Sequence, residues 1–506
     1  MTCDVLIVGG GTGGVAAALA LSSTDLKVVL TEETDWIGGQ FTSQIVPPDE
    51  HPWIERFGCT RNYDALRFMV RAGYKADRQS SMTIGARQDP FINPGGGWVS
   101  RLCAEPRHFL RHMKHFVSSC QVCLRTVVVG ADVTENKVVE VTVRNLDSGA
   151  ETRIKPRFVL DATELGDLLP VTGTEYVVGA ESRSETGEPH AVDGVAQPTN
   201  IQSFTWCAAI GFDNNGTHTI NKPKDYDKWR DYVPQHWTGK LLDLTFPNVR
   251  TGERMTLPLF GEGLTLFGYR QIVDPGLYEE ATEPVTVMNW PQNDYMDGHV
   301  IDVDVDIARS RLESSRQLTL SVLYWLQTEM GFPGLRLRPD ITGTQDGLAM
   351  APYHRESRRI RSLRTIKEQD VSPDCHPGRK TAPDMWDSVG IGAYRIDLHP
   401  GSDGARTIDI SSLPFQIPLG ALIPVKTLNL VPCCKNIGTT HITNGCYRLH
   451  PVEWTIGEAA GHLAATCLDT GLSPQELYSD QNRVEEFQRH LTRSGFDLRW
   501  PEIGPL

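Results

Sequence analysis

The chain has 506 residues, with 49 Lys and Arg against 63 Asp and Glu for a formal net charge of −14, and 40% of it is hydrophobic. That composition excludes collagen-like and disordered classes, and its acidic balance offers nothing global to attract nucleic acid or an anionic membrane. At this length two or three structural units around a shared cleft are expected. No apolar run reaches the roughly 20 residues that a membrane helix requires. Val5 to Ser22 resembles a signal peptide only superficially: it follows Asp4, lacks a basic flank and contains GGGTGG, which predicts folded structure and a cytoplasmic protein. Eleven scattered cysteines form no secreted disulfide framework and agree with a reducing compartment.

In chain order, DVLIV (Asp4 to Val8) predicts a short buried strand, Val15 to Ser22 a helix, and KVVLT (Lys27 to Thr31) a second strand. This is one βαβ unit of about 30 residues, the mononucleotide-binding half of a doubly wound sheet. Residues 44–100, rich in Pro, Gly, Trp and charge, read as an insertion of loops and short helices. Arg107 to Ser119 suits a helix, Val122 to Val129 and Val138 to Val143 strands with a turn at Glu135-Asn136, and Phe158 to Ala162 a further strand. Residues 171–300 hold short strands and loops, and Asp304 to Met330 predicts a long helix ended by Gly331 and Pro333. Ile417 to Pro424 and Leu428 to Val431 read as strands, and Pro451 to about Asp469 as the last helix considered.

GGGTGG meets GxGxxG through Gly9, Gly11 and Gly14, between a strand and a helix. Glycine there lets the chain turn tightly, admits a pyrophosphate to the backbone and aims the positive helix end at it. Glu32 closes the second strand, where a carboxylate accepts hydrogen bonds from a ribose diol and repels a 2′-phosphate, which disfavours NADP. The same turn occurs in Rossmann-like methyltransferases.

Ile37-Gly38-Gly39-Gln40 follows, Phe158 to Ala162 leads into Thr163-Glu164-Leu165-Gly166-Asp167, and NGCYRLHPVEWTIGEAAGHLAA begins at Asn444. With PYHRESRRI (Pro352 to Ile360), YRIDLH (Tyr394 to His399) and IPLGALIP (Ile417 to Pro424), the sequence resembles the FAD-dependent oxidoreductase family with a glutathione-reductase-2 type fold. Heterodisulfide-reductase flavoprotein subunits are distant relatives of that family. The resemblance covers roughly residues 4–46, 121–167, 288–360 and 388–465. It implies FAD contacts from Gly9, Gly10, Gly11, Thr12, Gly13 and Gly14, and from Glu32, Gly39 and Gln40. Adenine contacts are implied near Val128, and flavin-side contacts near Ala162, Thr163, Gly438, Asn444 and Gly445. DATE at Asp161 to Glu164 departs from the DATG of neighbouring flavoproteins and leaves Glu164 as an extra polar group.

In the C-terminal helix Gly457, Ala460, Gly461 and Ala464 form a stripe of small residues, so the helix can approach another backbone closely. If its N-terminus points at the flavin, its dipole would stabilise the reduced ring. Arg355, Arg358, Arg359 and Arg361 cluster in an acidic chain. They suit a clamp for a substrate carboxylate or an offset to reduced-flavin charge, or else a salt-bridged segment with Glu356 as internal partner.

Read as a strand, YRIDLH puts Arg395, Asp397 and His399 on one face. A carboxylate orienting an imidazole there makes a general base, a solvated polar strand face being the alternative. His354 and His441, which the resemblance places near the cofactor, are rival bases. Cys120/Cys123, Cys433-Cys434 and Cys446 read as buried inert thiols, and no zinc spacing predicts a metal site. Asp302, Asp304 and Asp306 lack the glycine of a calcium loop and read as a solvated strand end. Tryptophans at 36, 53, 98, 206, 229, 237 and 290 suit either a pocket wall or core packing.

The expectation is therefore an α/β protein: a discontinuous Rossmann-like FAD-binding domain (1–170, with the insertion 44–100, completed by 336–506) and an inserted mixed α+β substrate domain (171–335). Its expected function is hydride transfer from a small organic substrate (alcohol, amine or sugar-like) to flavin N5, assisted by His399, His441 or His354 with Asp397 and Arg355. Reoxidation falls to oxygen or another carrier, and a homo-oligomer is compatible with the sequence. The alternatives are a flavoprotein electron-transfer subunit that requires a partner protein, and NAD or S-adenosylmethionine in place of FAD.

Overall fold

The computed structural model describes every residue except 236, 249, 403, 405, 406, 502 and 504–506. Strand β1 (Thr2–Val8) pairs in parallel with β2 (Val28–Thr31), β2 with β3 (Gln121–Cys123), and β1 on its other side with β6 (Glu151–Asp161). The order of this parallel sheet is completed by β11 (Leu430–Pro432), which pairs with β6 and so brings the C-terminal third into the opening domain. Alternation along β1 serves both faces: Val5 and Ile7 join the main core, while Leu6 and Val8 join a second one. That second layer is built by β4 (Thr126–Thr134), β5 (Lys137–Asn145) and the first half of β6, an antiparallel meander. The expected hairpin turn is present, with Glu135 and Asn136 both at positive φ (49° and 61°) as a two-residue loop requires. The strand expected over 122–129 divides at Arg125 (φ 53°), where the chain leaves the parallel sheet for the meander.

Registers decide where ligands can bind. Val8 stands beside both Thr31 and Asp161, Thr31 beside Cys123, and Asp161 beside Pro432. The carboxyl ends of five strands therefore share one edge, and the loops that follow them converge where the strand order reverses at β1.

Helix α1 (Thr12–Leu21) is small-residue and almost wholly buried, because the later helix α6 (His450–Thr470) lies across it. A Cβ on Gly457 would stand 2.2 Å from the Gly13 carbonyl oxygen, and one on Gly461 2.7 Å from that of Ala17. The small stripe thus serves close packing of head against tail.

A separate core surrounds an antiparallel sheet with order β8-β9-β7-β10, from β7 (Ala208–Phe212), β8 (Gln271–Val273), β9 (Val285–Met288) and β10 (Leu335–Leu337). It is covered by α4 (Val305–Thr328), which Asp304 caps by accepting from the Asp306 amide at 2.8 Å. The aspartates of 302–306 therefore open a helix and do not end a strand. This core also takes Ile45, Val46, Tyr74 and Ile92 from the early insertion. There the chain forms an 18-residue helix, α2 (Arg61–Arg78), longer than its composition suggested. Thr60 caps it, and Tyr63, Leu66, Val70 and Tyr74 form its buried stripe. Its inward Arg67 and Arg71 are neutralised by Glu50 and Glu55. Ile417 to Pro424 is strand only to Pro418 and then a 3-10 turn, Leu419–Leu422, whose Gly420 amide donates to Asp387. Among the described residues no helix is long and apolar enough to cross a membrane.

Candidate functional site

At the shared strand edge lies a groove lined by Gly9, Gly11, Glu32, Gly39, Ala162 and Thr163, with Val128 from β4 on its wall. The glycines are there for different reasons. A Cβ on Gly9 would strike the Ala162 carbonyl oxygen at 2.2 Å, on Gly13 that of Cys433 at 1.6 Å, and on Gly14 that of Gly9 at 2.2 Å, so packing within the protein requires all three. Gly11 differs. Its φ of −64° suits any residue, and a Cβ there would meet only the Ala162 oxygen, at 3.6 Å. What Gly11 keeps open is the groove itself, ahead of the unsatisfied amides of the first turn of α1.

Glu32 is buried, and burial raises its carboxyl above the ordinary range against the hydrogen bonds it accepts. Those come from the Gly10 amide at 2.9 Å and from the Thr34 amide and hydroxyl at 2.8 and 2.6 Å. The arrangement fixes the carboxylate on the groove wall, where a ribose diol can donate to its remaining lone pairs. Thr12 donates to the Gly38 carbonyl and holds the second glycine turn against the first. Buried oxygens Oε1 of Gln40 and of Gln44, the latter on the groove, have no partner within the protein, so a polar ligand would find acceptors there. The glycine cradle, the ribose-ready carboxylate and these open acceptors fit FAD. Gly438 and Gly445 lie outside the groove lining: a Cβ on the former would strike Ser362, and on the latter the Asp397 backbone. Asn444 donates to the Arg355 carbonyl at 2.8 Å and so holds a neighbouring arginine.

The second feature is a cavity of about 970 Å³ whose wall includes Tyr232, Trp237, Asn248, Asp294, Asp397 and His399. His399 Nδ1 lies 2.6 Å from Asp294 Oδ2, and its Nε2 lies 3.6 Å from Asp397 Oδ2. Burial alone would raise the Asp294 carboxyl, but Arg355, at 3.0 Å, and then His399 hold it below the ordinary range. Asp397 behaves likewise: against burial, His399 first and the guanidiniums of Arg448 and Arg355 after it keep the carboxyl well down. The imidazole thus stands between two carboxylates that are both held below the ordinary range.

Arg448 ties the two features together. It donates to the Tyr353 hydroxyl at 2.8 Å and to the Asp397 carbonyl at 3.1 Å, while its own carbonyl accepts from Gln40 Nε2 at 3.1 Å. Gln40 belongs to the turn Gly39–Phe41 that follows the groove glycines. Sequence reasoning missed Arg448 and Asp294. For Arg448 a signal existed, a lone charge between Tyr447 and Leu449 in an apolar stretch; for Asp294 none did.

The other candidates lie elsewhere. His441 Nδ1 stands 3.1 Å from both Glu356 oxygens in a separate buried network, where Arg359 meets Glu356 at 2.6 Å and Glu181 at 2.9 Å. Arg355, Arg358 and Arg359 are therefore buried and ion-paired, as a salt-bridged segment would be, while Arg361 is exposed. His354 packs against the Phe204 ring, and burial, then Lys435 and Arg355, push its imidazole down to about 3. Burial also raises the Cys433, Cys434 and Cys446 thiols. Among the described residues no group of three or more His, Cys, Asp or Glu is placed to hold a metal ion.

Comparison with known proteins finds remote solved structures and one matching family. Among solved structures, a geranylgeranyl bacteriochlorophyll reductase-like protein from Thermoplasma acidophilum shares 12% identity over 97% of this chain and 86% of that one, with a TM-score of 0.35. The p-nitrophenol 4-monooxygenase PnpA from Pseudomonas putida DLL-E4 shares 12% over 97% and 88%, with a TM-score of 0.36. The myxobacterial chondrochloren halogenase CndH shares 13% over 97% and 79%, with a TM-score of 0.32. A search of curated protein sequences finds no match. The family described as FAD dependent oxidoreductase matches residues 4–491. Since that match runs over nearly the whole chain, the protein belongs to the FAD-dependent oxidoreductase family.

Proposed function

We propose that the protein dehydrogenates a small polar organic substrate, an alcohol, amine or sugar-like molecule, bound in the cavity beside His399. The observation that carries this reading is the imidazole held 2.6 Å from a buried carboxylate on the wall of a 970 Å³ cavity. FAD, when bound, supplies the hydride acceptor at N5. Asp294, accepting from Nδ1–H, fixes the tautomer that leaves Nε2 free to take the proton of a substrate O–H or N–H. Asp397, on the Nε2 side, stabilises the imidazolium that results. Arg355 and Arg448 hold these carboxylates in place and balance their charge, and Tyr232 and Trp237 give the cavity an apolar face for the substrate skeleton. Reoxidation of the cofactor, when bound, would fall to oxygen or another carrier.

The test is anaerobic mixing of the purified holoenzyme with alcohols, amines, sugars and hydroxy acids while the visible flavin band is followed. Bleaching by one class names the substrate. If none bleaches it and a redox protein does, the chain is an electron-transfer subunit and this reading fails.

A further inference from the structure

The groove of a dinucleotide cofactor must accept a pyrophosphate, yet this one is lined by Glu32, Glu33, Glu164 and Asp167. Glu32 has its ribose role, and Glu33 is exposed to water. Asp167 is met by Arg358 Nη1 at 2.9 Å. Glu164 remains, on the turn directly after Ala162 and Thr163.

Its partner comes from the far end of the chain. Lys435 follows β11, and its Nζ lies 2.5 Å from Glu164 Oε1 with its side chain wholly removed from water. Burying an ammonium is unfavourable unless an anion meets it closely. Burial would indeed lower the Lys435 amine, but Glu164 and then Glu453 overcome it and keep the group charged. The pair borders the groove through Glu164.

We propose that Lys435 is a positioning residue for the cofactor: it neutralises Glu164 and holds it against the groove wall, so that the groove admits the anionic pyrophosphate of FAD. This rests on the groove being the FAD site, which follows from Gly11 and Glu32. Without the lysine, an unpaired carboxylate faces the phosphates. Without both, the groove lining carries one carboxylate fewer and no buried ammonium is left unpaired behind it.

The test is titration of FAD into the flavin-stripped full-length protein, followed by flavin fluorescence, on Lys435→Met, Glu164→Gly, the double variant and Gly11→Ala. We expect Lys435→Met to weaken FAD binding about tenfold or more, equivalent to about 1.4 kcal/mol, and the double variant to recover most of that loss. Glu164→Gly alone should bind FAD as tightly as the parent or more so. An unchanged Kd in Lys435→Met overturns the proposal, as does a double variant that binds no better than Lys435→Met. Should Lys435→Met not fold, Glu164→Gln decides: affinity equal to or above the parent supports the proposal, and a clear loss overturns it. Gly11→Ala reports on the groove separately, since the fold has room for its methyl. Undiminished FAD affinity there removes the groove as the cofactor site, and the lysine's role with it.

Discussion

His399 Nδ1 and Asp294 Oδ2 stand 2.6 Å apart, although 105 residues separate them in the chain. Thr205, donating to Asp294 at 2.5 Å, and Arg355, at 3.0 Å, fix the carboxylate from its other side, so the imidazole has little freedom to turn. Replacing Asp294 by Asn keeps the shape and removes the charge that supports an imidazolium. The rate of anaerobic flavin reduction should fall about 100-fold or more, within the span ascribed to a positioned general base, while the visible flavin spectrum is retained. His399→Ala should slow reduction at least as much. Stopped-flow absorbance measures both, and a parental rate in either variant removes that residue from the proton transfer.

Two buried histidines give the protein an acid-sensitive limb. His354 and His450 are each pushed down to about 3, first by burial and then by the arginines and the lysine around them. The folded state thus binds fewer protons than the unfolded chain, in which imidazole titrates near 6.5. Stability contributed in this way is complete above 6.5 and is lost as the pH falls from there toward 3, by about 1.4 kcal/mol per unit for each histidine. His354→Phe, which keeps a ring against Phe204, should remove one of these contributions. Urea unfolding at pH 7 and pH 5 should then show a fall smaller by about 2 kcal/mol than in the parent.

Glu32 offers a check on the groove that leaves the cavity untouched. Its carboxylate accepts from Gly10 and twice from Thr34, and charge-assisted bonds of this kind are worth about 1.5–3 kcal/mol each. Glu32→Gln should weaken FAD binding about tenfold or more. The reduction rate at saturating FAD should stay close to the parental value. Fluorescence titration gives the first quantity and stopped-flow reduction the second.

These residues also show what the sequence could carry. The βαβ opening was legible because strand, glycine turn and helix are local, and Glu32 follows at a spacing set by one crossover. The hairpin at Glu135-Asn136 was legible for the same reason. GxGxxG, by contrast, treats its glycines alike, and only the fold separates Gly11, which faces the groove, from Gly14, which is pressed against the Gly9 carbonyl. Helix α2 was hidden because the charges of Arg67 and Arg71 mask its stripe until Glu50 and Glu55 are seen to neutralise them. The arginines of 355–361 read as a substrate clamp, an offset to flavin charge or a salt-bridged segment, since Asp294, Asp167 and Glu181, the partners of Arg355, Arg358 and Arg359, are distant in sequence. Asp294 beside His399 is the extreme case: no periodicity or spacing links a residue of the short strand Asp294–Tyr295, paired with Phe204–Thr205, to a histidine 105 residues later on the same cavity wall.

The crossing of α1 and α6 supplies the last prediction. At Gly457 a methyl group would stand 2.2 Å from the Gly13 carbonyl oxygen and 2.6 Å from its Cα, both backbone atoms of the glycine turn that shapes the groove. Neither can move aside as a side-chain tip would, because Gly13 is itself pressed against Cys433. Gly457→Ala should therefore cost about 1–3 kcal/mol of stability through overpacking, despite the higher helix propensity of alanine. It should also weaken FAD binding by displacing the turn. Gly130→Ala is the contrasting substitution: that glycine lies in β4, and a methyl added there would have nothing within 4 Å, so stability should stay level or rise slightly. Urea unfolding of the two variants beside the parent separates a specific helix-to-turn contact from any general effect of replacing glycine. Equal behaviour of the two would show that the helix does not press on the cofactor turn.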